Sequence, residues 1–341
     1  MSPVAAPFAR LAAQISTLSQ GLGRPVALDL PTLTDRSGQL PLGAAGLVSP
    51  NGSCRLVAAA DGWVAVNLAR ADDAALVPAW LTTEAAADPW AAVLEAAPSR
   101  RWRDLVERAR LLGLPVAGVG EVVAADTAAR LLNAGRPAGG VRPGLAVVDL
   151  STLWAGPLCG AVLAAAGAEV TKVESLRRPD PSRTSTPDFF RRLNGAKADL
   201  ALDFADPGDR DRLRRMILDA GVVITSARPR AFEQLGLAPA ALFAERPDLT
   251  WVAVSGYGWS GEAADRVAFG DDAAAAGGLV RWTPEGEPRF LGDALADPLT
   301  GLAAAAGALQ ALGQGGGVIV DAALARTAAG AAAELGLKAA A

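Results

Sequence analysis

Residues 145–160 read Leu-Ala-Val-Val-Asp-Leu-Ser-Thr-Leu-Trp-Ala-Gly-Pro-Leu-Cys-Gly, and residues 167–174 read Gly-Ala-Glu-Val-Thr-Lys-Val-Glu. The apolar run Leu145–Leu150 is predicted to be a strand buried on both faces. Ala155-Gly156-Pro157 is a tight turn, with Pro157 well suited to the first position of a helix. That helix is predicted over Pro157–Ala166, ended by Gly167, with Glu169–Glu174 as the next strand. Strand, helix and strand at this spacing make a parallel βαβ unit. The Gly-x-Gly-x-x-Gly spacing of a nicotinamide or flavin site is missing: the turn offers only Gly156 and Gly160, although Glu174 lies about where the ribose-binding acid of that motif would sit. Two readings stay open on the turn alone. Either the free N–H groups at the helix start face an anion, or the turn is well formed and holds no ligand.

The alternation continues downstream. Pro207–Ala220 reads as a helix capped by Asp206, Gly221–Thr225 as a strand, Pro239–Ala244 as a short helix and Leu249–Val254 as a strand. The fold class expected is α/β: a large Rossmann-like, doubly wound parallel sheet over residues 136–341. The Gly/Pro-rich piece Gly135–Gly140 is the expected linker. Before it, residues 41–135 read as a small α+β domain. Arg55–Ala59 and Trp63–Leu68 flank the hairpin signal Ala60-Asp61-Gly62, Asp88-Pro89 opens a helix, Ser99–Leu112 is a second helix stopped at Gly113, and Leu114–Val119 is a strand. Residues 1–40 form an N-terminal helical arm, with Leu11, Ile15 and Leu18 at helical spacing.

Composition excludes several function classes. The chain has 341 residues, 51% hydrophobic and 20% charged, which supports a sizeable core and two domains. A net charge of −4 without long runs of one sign argues against a nucleic-acid groove. Histidine is absent, which removes His-based triads, imidazole acid–base chemistry and the usual zinc sites, so no metal is expected. Cys54 and Cys159 imply no disulfide framework and a reducing, cytoplasmic setting. The N-terminus does not read as a signal peptide, and the alanine-rich stretches near 302–312 and 322–341 are too short or interrupted to span a bilayer, so no membrane partner is expected.

A set of short motifs follows in order: Ala155-Gly156-Pro157, Gly167–Glu174, Asn194-Gly195-Ala196-Lys197, Leu200-Ala201-Leu202-Asp203, Arg228-Pro229, Leu235-Gly236-Leu237, Val254-Ser255-Gly256-Tyr257-Gly258 and Gly313-Gln314-Gly315. Over about residues 142–325 the chain resembles family III CoA transferases, the CaiB/BaiF group that includes formyl-CoA transferase and α-methylacyl-CoA racemase. In that family a small domain is inserted after the region matching Gly313–Leu324. Here the segment from Ala60 to Ala117 looks like that small domain placed in front, so the resemblance implies a circularly permuted order, which is physically reasonable where termini lie close together and exposed. It further implies acyl-CoA and a small carboxylic acid as substrates, no nicotinamide or flavin, and a homodimer. Lys197 and Arg228 would contact CoA phosphates, with Thr152, Leu153, Trp154, Ala155 and Tyr257 at the same cleft. Two of only three lysines, Lys172 and Lys197, and the single tyrosine, Tyr257, fall on motif positions. Ser175 stands where formyl-CoA transferase has an arginine, and Arg177, Arg178 or Arg183 is the candidate substitute.

The family nucleophile is an aspartate a few residues before a glycine that opens an apolar helix, and Leu295-Ala296-Asp297-Pro298-Leu299-Thr300-Gly301 fits. Without the resemblance, Asp297 before Pro298 reads as an ordinary N-cap. With it, the helix start is expected to keep the carboxylate ionised for attack on a thioester. Asp293 is the competing nucleophile. Asp271 and Asp272 follow Phe269-Gly270, where the racemase branch places a His-Asp pair. Gly43–Gly46 is the candidate oxyanion loop, or an ordinary turn. The function expected is CoA transfer between an acyl-CoA and a carboxylic acid. The alternatives are an acyl-CoA racemase, isomerase or lyase on the same fold, or a catalytically idle CoA-binding homologue.

Overall fold

A computed structural model describes residues 4–84, 87–125, 128–138 and 144–337. Its first sheet is small and antiparallel: β1 (Cys54–Ala59), β2 (Gly62–Asn67) and β3 (Val116–Gly118), in that order. The hairpin forms where expected, with Ala59 opposite Gly62 across the Ala60-Asp61 turn. Asp61 then accepts the backbone N–H of Trp102 at 2.8 Å, tying the turn to the next helix. That helix covers Trp102–Leu112 rather than starting at Ser99, because Ala97–Ser99 closes as a 3-10 turn. Gly113 ends it in the left-handed region at φ 68°, a conformation glycine adopts without a Cβ clash. With helices Ala71–Leu81 and Pro89–Ala96 it buries Val64, Val66, Trp80 and Leu105 on one face of the sheet. The other face, Leu56 and Ala65, packs on Ala275, Val280 and Phe290 of the larger unit.

The large sheet contains β4 (Ala129–Asn133), β5 (Ala146–Asp149), β6 (Glu169–Ser175), β7 (Ala198–Leu202), β8 (Val222–Thr225), β9 (Thr250–Ser255) and, after a separate hairpin of β10 (Val280–Trp282) and β11 (Pro288–Phe290), β12 (Val318–Ala323). Its order is β4-β12-β9-β8-β5-β6-β7, parallel throughout except for β4, which runs antiparallel to β12. β4 thus lies in the large sheet, although residues 129–133 fall inside the segment expected to be the small domain. The expected linker is also packed: Ala134 and Gly135 donate to Gly317 O, and Ala138 donates to Gly315 O. Its last residues, Gly139 and Gly140, lie outside the described residues.

Helices cover both faces, which is why the central strands are continuous apolar runs. One face carries helices Ala155–Ala165 and Ala296–Gly313 around Leu158, Leu163, Leu299 and Leu302. The N-terminal arm belongs to this core as well: helix Ala5–Ser19 buries Phe8, Leu11 and Ile15 there. The opposite face packs helices Pro207–Asp219, Pro229–Gln234 and Pro239–Glu245 over Trp251. From β5 the chain steps out through β6 to β7, then returns past β5 to lay down β8, β9 and β12. The direction reverses between β5 and β8. Ligands of open α/β sheets bind in the crevice at the carboxyl ends of strands flanking such a reversal.

Candidate active site

A pocket of about 370 Å³ opens at that crevice. Thr152, Leu153, Ala155 and Gly156 line it after β5; Ser226, Ala227 and Arg228 after β8; Ser255 and Gly256 at the end of β9. The β5 and β8 loops are tied together by the Thr152 N–H donating to Ser226 Oγ at 3.1 Å. Leu153 stands at the lip with φ 68°, an unfavourable region for a branched side chain, and its N–H is held by Asp180 at 3.1 Å. Ala155 and Gly156 begin helix Ala155–Ala165, so its free amides lie at the pocket wall. Trp154 turns away, packing edge-to-face on Phe189 with ring centroids 4.9 Å apart.

The glycines of the opening turn serve packing. A Cβ on Gly156 would strike the Ser151 side chain. One on Gly160 would meet Asp149 Oδ2 at 2.7 Å and Lys197 Nζ at 2.8 Å. That pair explains Lys197, which does not face the pocket. Its ammonium is buried and donates to Asp149 Oδ2 (2.7 Å), Pro157 O (2.8 Å) and Asn194 Oδ1 (2.8 Å), which uses all three donors. All three donors of Lys197 thus go to protein oxygens, away from the pocket to which the resemblance assigned it. Lys172 is buried too, donating to Ser151 O at 2.7 Å beside Glu174 and Asp180. In an arginine-biased chain, both lysines place a compact ammonium among buried oxygen acceptors.

Among the described residues Arg70, Arg178, Arg228 and Arg266 line the pocket. Arg70 pairs with Asp73 and Arg266 with Glu121. Arg178 and Arg228 have no ion-pair partner among the described residues. Burial, with Arg230 and Arg70 nearby, pulls Arg228 below its ordinary value. Arg177 instead pairs with Asp203 at an exposed site, and Arg183 with Glu174 and Asp199. The Tyr257 ring lies 3.7 Å beneath the Arg266 guanidinium, behind the lining. Gly43 and Gly46 do not line the pocket: their N–H groups donate to Pro50 O and Val48 O.

Among the described residues one acid lines the remaining wall, beside apolar neighbours such as Val267, Phe269 and Leu324. Asp297 lines the pocket from the first turn of helix Ala296–Gly313. It is not the N-cap; that position is Leu295, with no side-chain cap. The helix start does not hold Asp297 at an ordinary carboxylate value either. Burial pushes it up to about 7; Arg36 and the Gly270 N–H oppose the rise, and Asp271 and Asp293 add to it. Gly270 must be a glycine here, since a Cβ would collide with Asp297 Oδ2. Ala294, just before the helix, is held at φ 45° with its N–H donating to Asp271 Oδ1 at 2.7 Å.

The other three aspartates are engaged. Asp293 takes a two-pronged bond from Arg36, Nε at 2.8 Å and Nη2 at 2.9 Å, and a third from Asn51 Nδ2 at 2.9 Å. Asp271 accepts from Asn51 Nδ2 at 2.6 Å as well as from Ala294, and burial raises it to about 6. Asp272 accepts from Asn67 at 2.8 Å and Phe269 N–H at 3.0 Å, and burial holds it well above the carboxylate range. Sequence reasoning missed Arg36, Asn51, Asn67, Arg70 and Arg266. All but Arg266 lie in the first third of the chain. Among the described residues no group of three or more His, Cys, Asp or Glu is placed to hold a metal, and no helix is long and apolar enough to cross a membrane.

Residues 143–340 match the family model described as CoA-transferase family III. The chain is 34% identical over 188 residues to a succinyl-CoA–D-citramalate CoA-transferase of Chloroflexus aurantiacus, covering 51% of this chain and 47% of that protein. It is 30% identical over 191 residues to the human succinyl-CoA:glutarate CoA-transferase, covering 52% and 44%. A crystal structure of a CaiB/BaiF family protein from Brucella suis superposes with a TM-score of 0.52 at 31% identity, over 56% of this chain and 55% of that one. The chain spans about half the length of the curated relatives it matches.

Proposed function

This chain belongs to CoA-transferase family III, and from that membership we propose that it moves CoA from an acyl-CoA to a carboxylic acid, with Asp297 as the covalent carrier. One observation carries the assignment to this residue. Of the four aspartates gathered at the two helix starts, Asp297 lines the arginine-bearing pocket while Asp271, Asp272 and Asp293 are held by side-chain donors. Arg228, Arg178 and the start of helix Ala155–Ala165 suit the phosphates of CoA, as charge-assisted donors and free amides do in general. The small α+β unit is read as the family's small domain placed in front, giving a permuted order.

The transfer proceeds by exchange at carbonyl carbons. The ionised Asp297 attacks the thioester carbonyl, the C–S bond breaks, and CoA thiolate leaves a mixed anhydride. The thiolate attacks the aspartyl carbonyl and releases the donor acid, leaving an aspartyl-CoA thioester. The acceptor carboxylate attacks that thioester and expels the thiolate again. The thiolate takes the acceptor's acyl group, and the Asp297 carboxylate is restored. A carboxylate raised to about 7 is still about half ionised at neutral pH and is a stronger nucleophile than an ordinary one.

Oxygen tracing tests this route. With an 18O-labelled acceptor acid, label passes into Asp297 in the first turnover and into the released donor acid in the next. Transfer without label in the donor acid contradicts the covalent route. No transfer from succinyl-, acetyl- or longer acyl-CoA to a broad panel of acids contradicts the activity itself.

A further inference from the structure

Four aspartates meet at the starts of helices Gly270–Ala276 and Ala296–Gly313, and a single arm residue brings positive charge to them. The Arg36 guanidinium lies 4.4 Å over the Trp154 ring and 5.9 Å from the Phe189 centroid, while its fork grips Asp293. Stacking fixes its plane and the fork fixes its direction, so the charge is held in place. Asn51 spans the remaining gap: one Nδ2 reaches both Asp271 and Asp293. Its Oδ1 accepts from Ser53 N at 2.9 Å and Ser53 Oγ at 2.6 Å, which orients the amide with its donors toward the acids.

The groups facing Asp297 come from every side. Arg36 comes from the arm, Asp271 and the Gly270 N–H from the neighbouring helix, and Asp293 from the turn before its own helix. Helix Ala155–Ala165 presents only Ala155 and Gly156, without charge. The arginines at 70, 178, 228 and 266 line the rest of the same pocket. We propose that Arg36 and Asn51 are positioning residues for Asp297: they lock the two neighbouring carboxylates and supply the charge that lets Asp297 ionise beside them. Without Arg36, Asp293 loses its ion pair and Asp297 faces uncompensated negative charge. An aspartate at 51 would turn the neutral bridge into a fifth acid. The inference rests on the reading of Asp297 as the covalent carrier.

The test reads ionisation and chemistry separately. Protein carrying 13Cγ-aspartate is titrated by NMR, with the Asp297 signal assigned from Asp297→Asn. Acyl-enzyme formation with an acyl-CoA is followed in parallel. Arg36→Gln is expected to raise the Asp297 midpoint by about one pH unit or more. It should lower kcat near pH 7 by about fivefold or more, with acyl-CoA KM within about threefold. Arg36→Lys should recover much of the shift. Asn51→Asp, which preserves side-chain size, should also raise the midpoint and serves where Arg36→Gln does not fold. An unmoved midpoint in the folded variants overturns the proposal. A midpoint that moves as stated in a protein whose Asp297 is never acylated supports the charge assignment and overturns the proposed reaction instead.

Discussion

On one side of the pocket Arg178 and Arg228 stand on loops leaving the carboxyl edge of the sheet, without ion-pair partners among the described residues. On the other side Asp297 reaches the pocket, and behind it Asp271 and Asp293 crowd at the same two helix starts, bound by side-chain donors. The first wall is open cation, suited to an anion that arrives from solution. The second is acid held from within, with one carboxylate, Asp297, turned to the pocket. On the proposed reaction, binding and chemistry are separated in space. Changes on the sheet wall should weaken ligand capture, and changes on the aspartate wall should stop turnover.

The largest effect that divides the walls is expected at Asp297. Asp297→Asn should lower kcat by on the order of 10³-fold or more, with CoA affinity by calorimetry nearly unchanged. A variant that keeps its turnover would dissolve the distinction.

Lys197 comes next, and it separates scaffold from ligand. Lys197→Met leaves Asp149 buried without its ion-pair partner, which should cost about 3 kcal/mol in urea unfolding. CoA affinity of the folded fraction should stay near the native value. A stable variant with weakened CoA binding would instead return Lys197 to the phosphate role that the family resemblance implied.

Arg228→Ala probes the sheet wall itself. Loss of about 2 kcal/mol of charge-assisted contact should raise the acyl-CoA KM by about thirtyfold with little change in kcat. Loss of kcat at constant KM would mean that this wall takes part in the chemistry.

The smallest effect is on stability. Asp297 and Asp271 titrate at about 7 and about 6 in the folded chain, both raised from 3.8. The folded state therefore binds protons more tightly than the unfolded one. The stability these groups contribute is full below pH 3.8 and is lost as pH climbs through 6 and 7. Asp297→Asn should flatten that decline and exceed the native protein at pH 8 by on the order of 1–2 kcal/mol. Equal changes at pH 5 and pH 8 would show that burial does not govern this carboxylate.

The two walls also differ in how far the sequence discloses them. The sheet wall is local: β5, the helix start at Ala155-Gly156-Pro157 and the Arg228-Pro229 segment are continuous stretches whose apolar runs and Gly/Pro residues carry the signal. β4 escaped because an edge strand with residues such as Arg130 and Asn133 lacks a buried-strand pattern, and helix Gly270–Ala276 because its alanines show no amphipathic period. The aspartate wall is assembled from chain positions as distant as 36, 51, 271 and 297. Asp297 was legible only through its family context. Arg36 and Asn51 were not legible, because nothing local marks an arginine in an irregular arm as the partner of Asp293. The charge balance that sets the Asp297 value exists only after those segments meet.

The central claim, that Asp297 carries the acyl group and then CoA, is tested most directly by trapping. The enzyme is incubated with an acyl-CoA, quenched with hydroxylamine or borohydride, digested and examined by mass spectrometry. A hydroxamate or a reduced side chain is expected at Asp297 and none at Asp293 or Asp271. Modification of another residue, or full transfer activity with Asp297 unmodified, would contradict it.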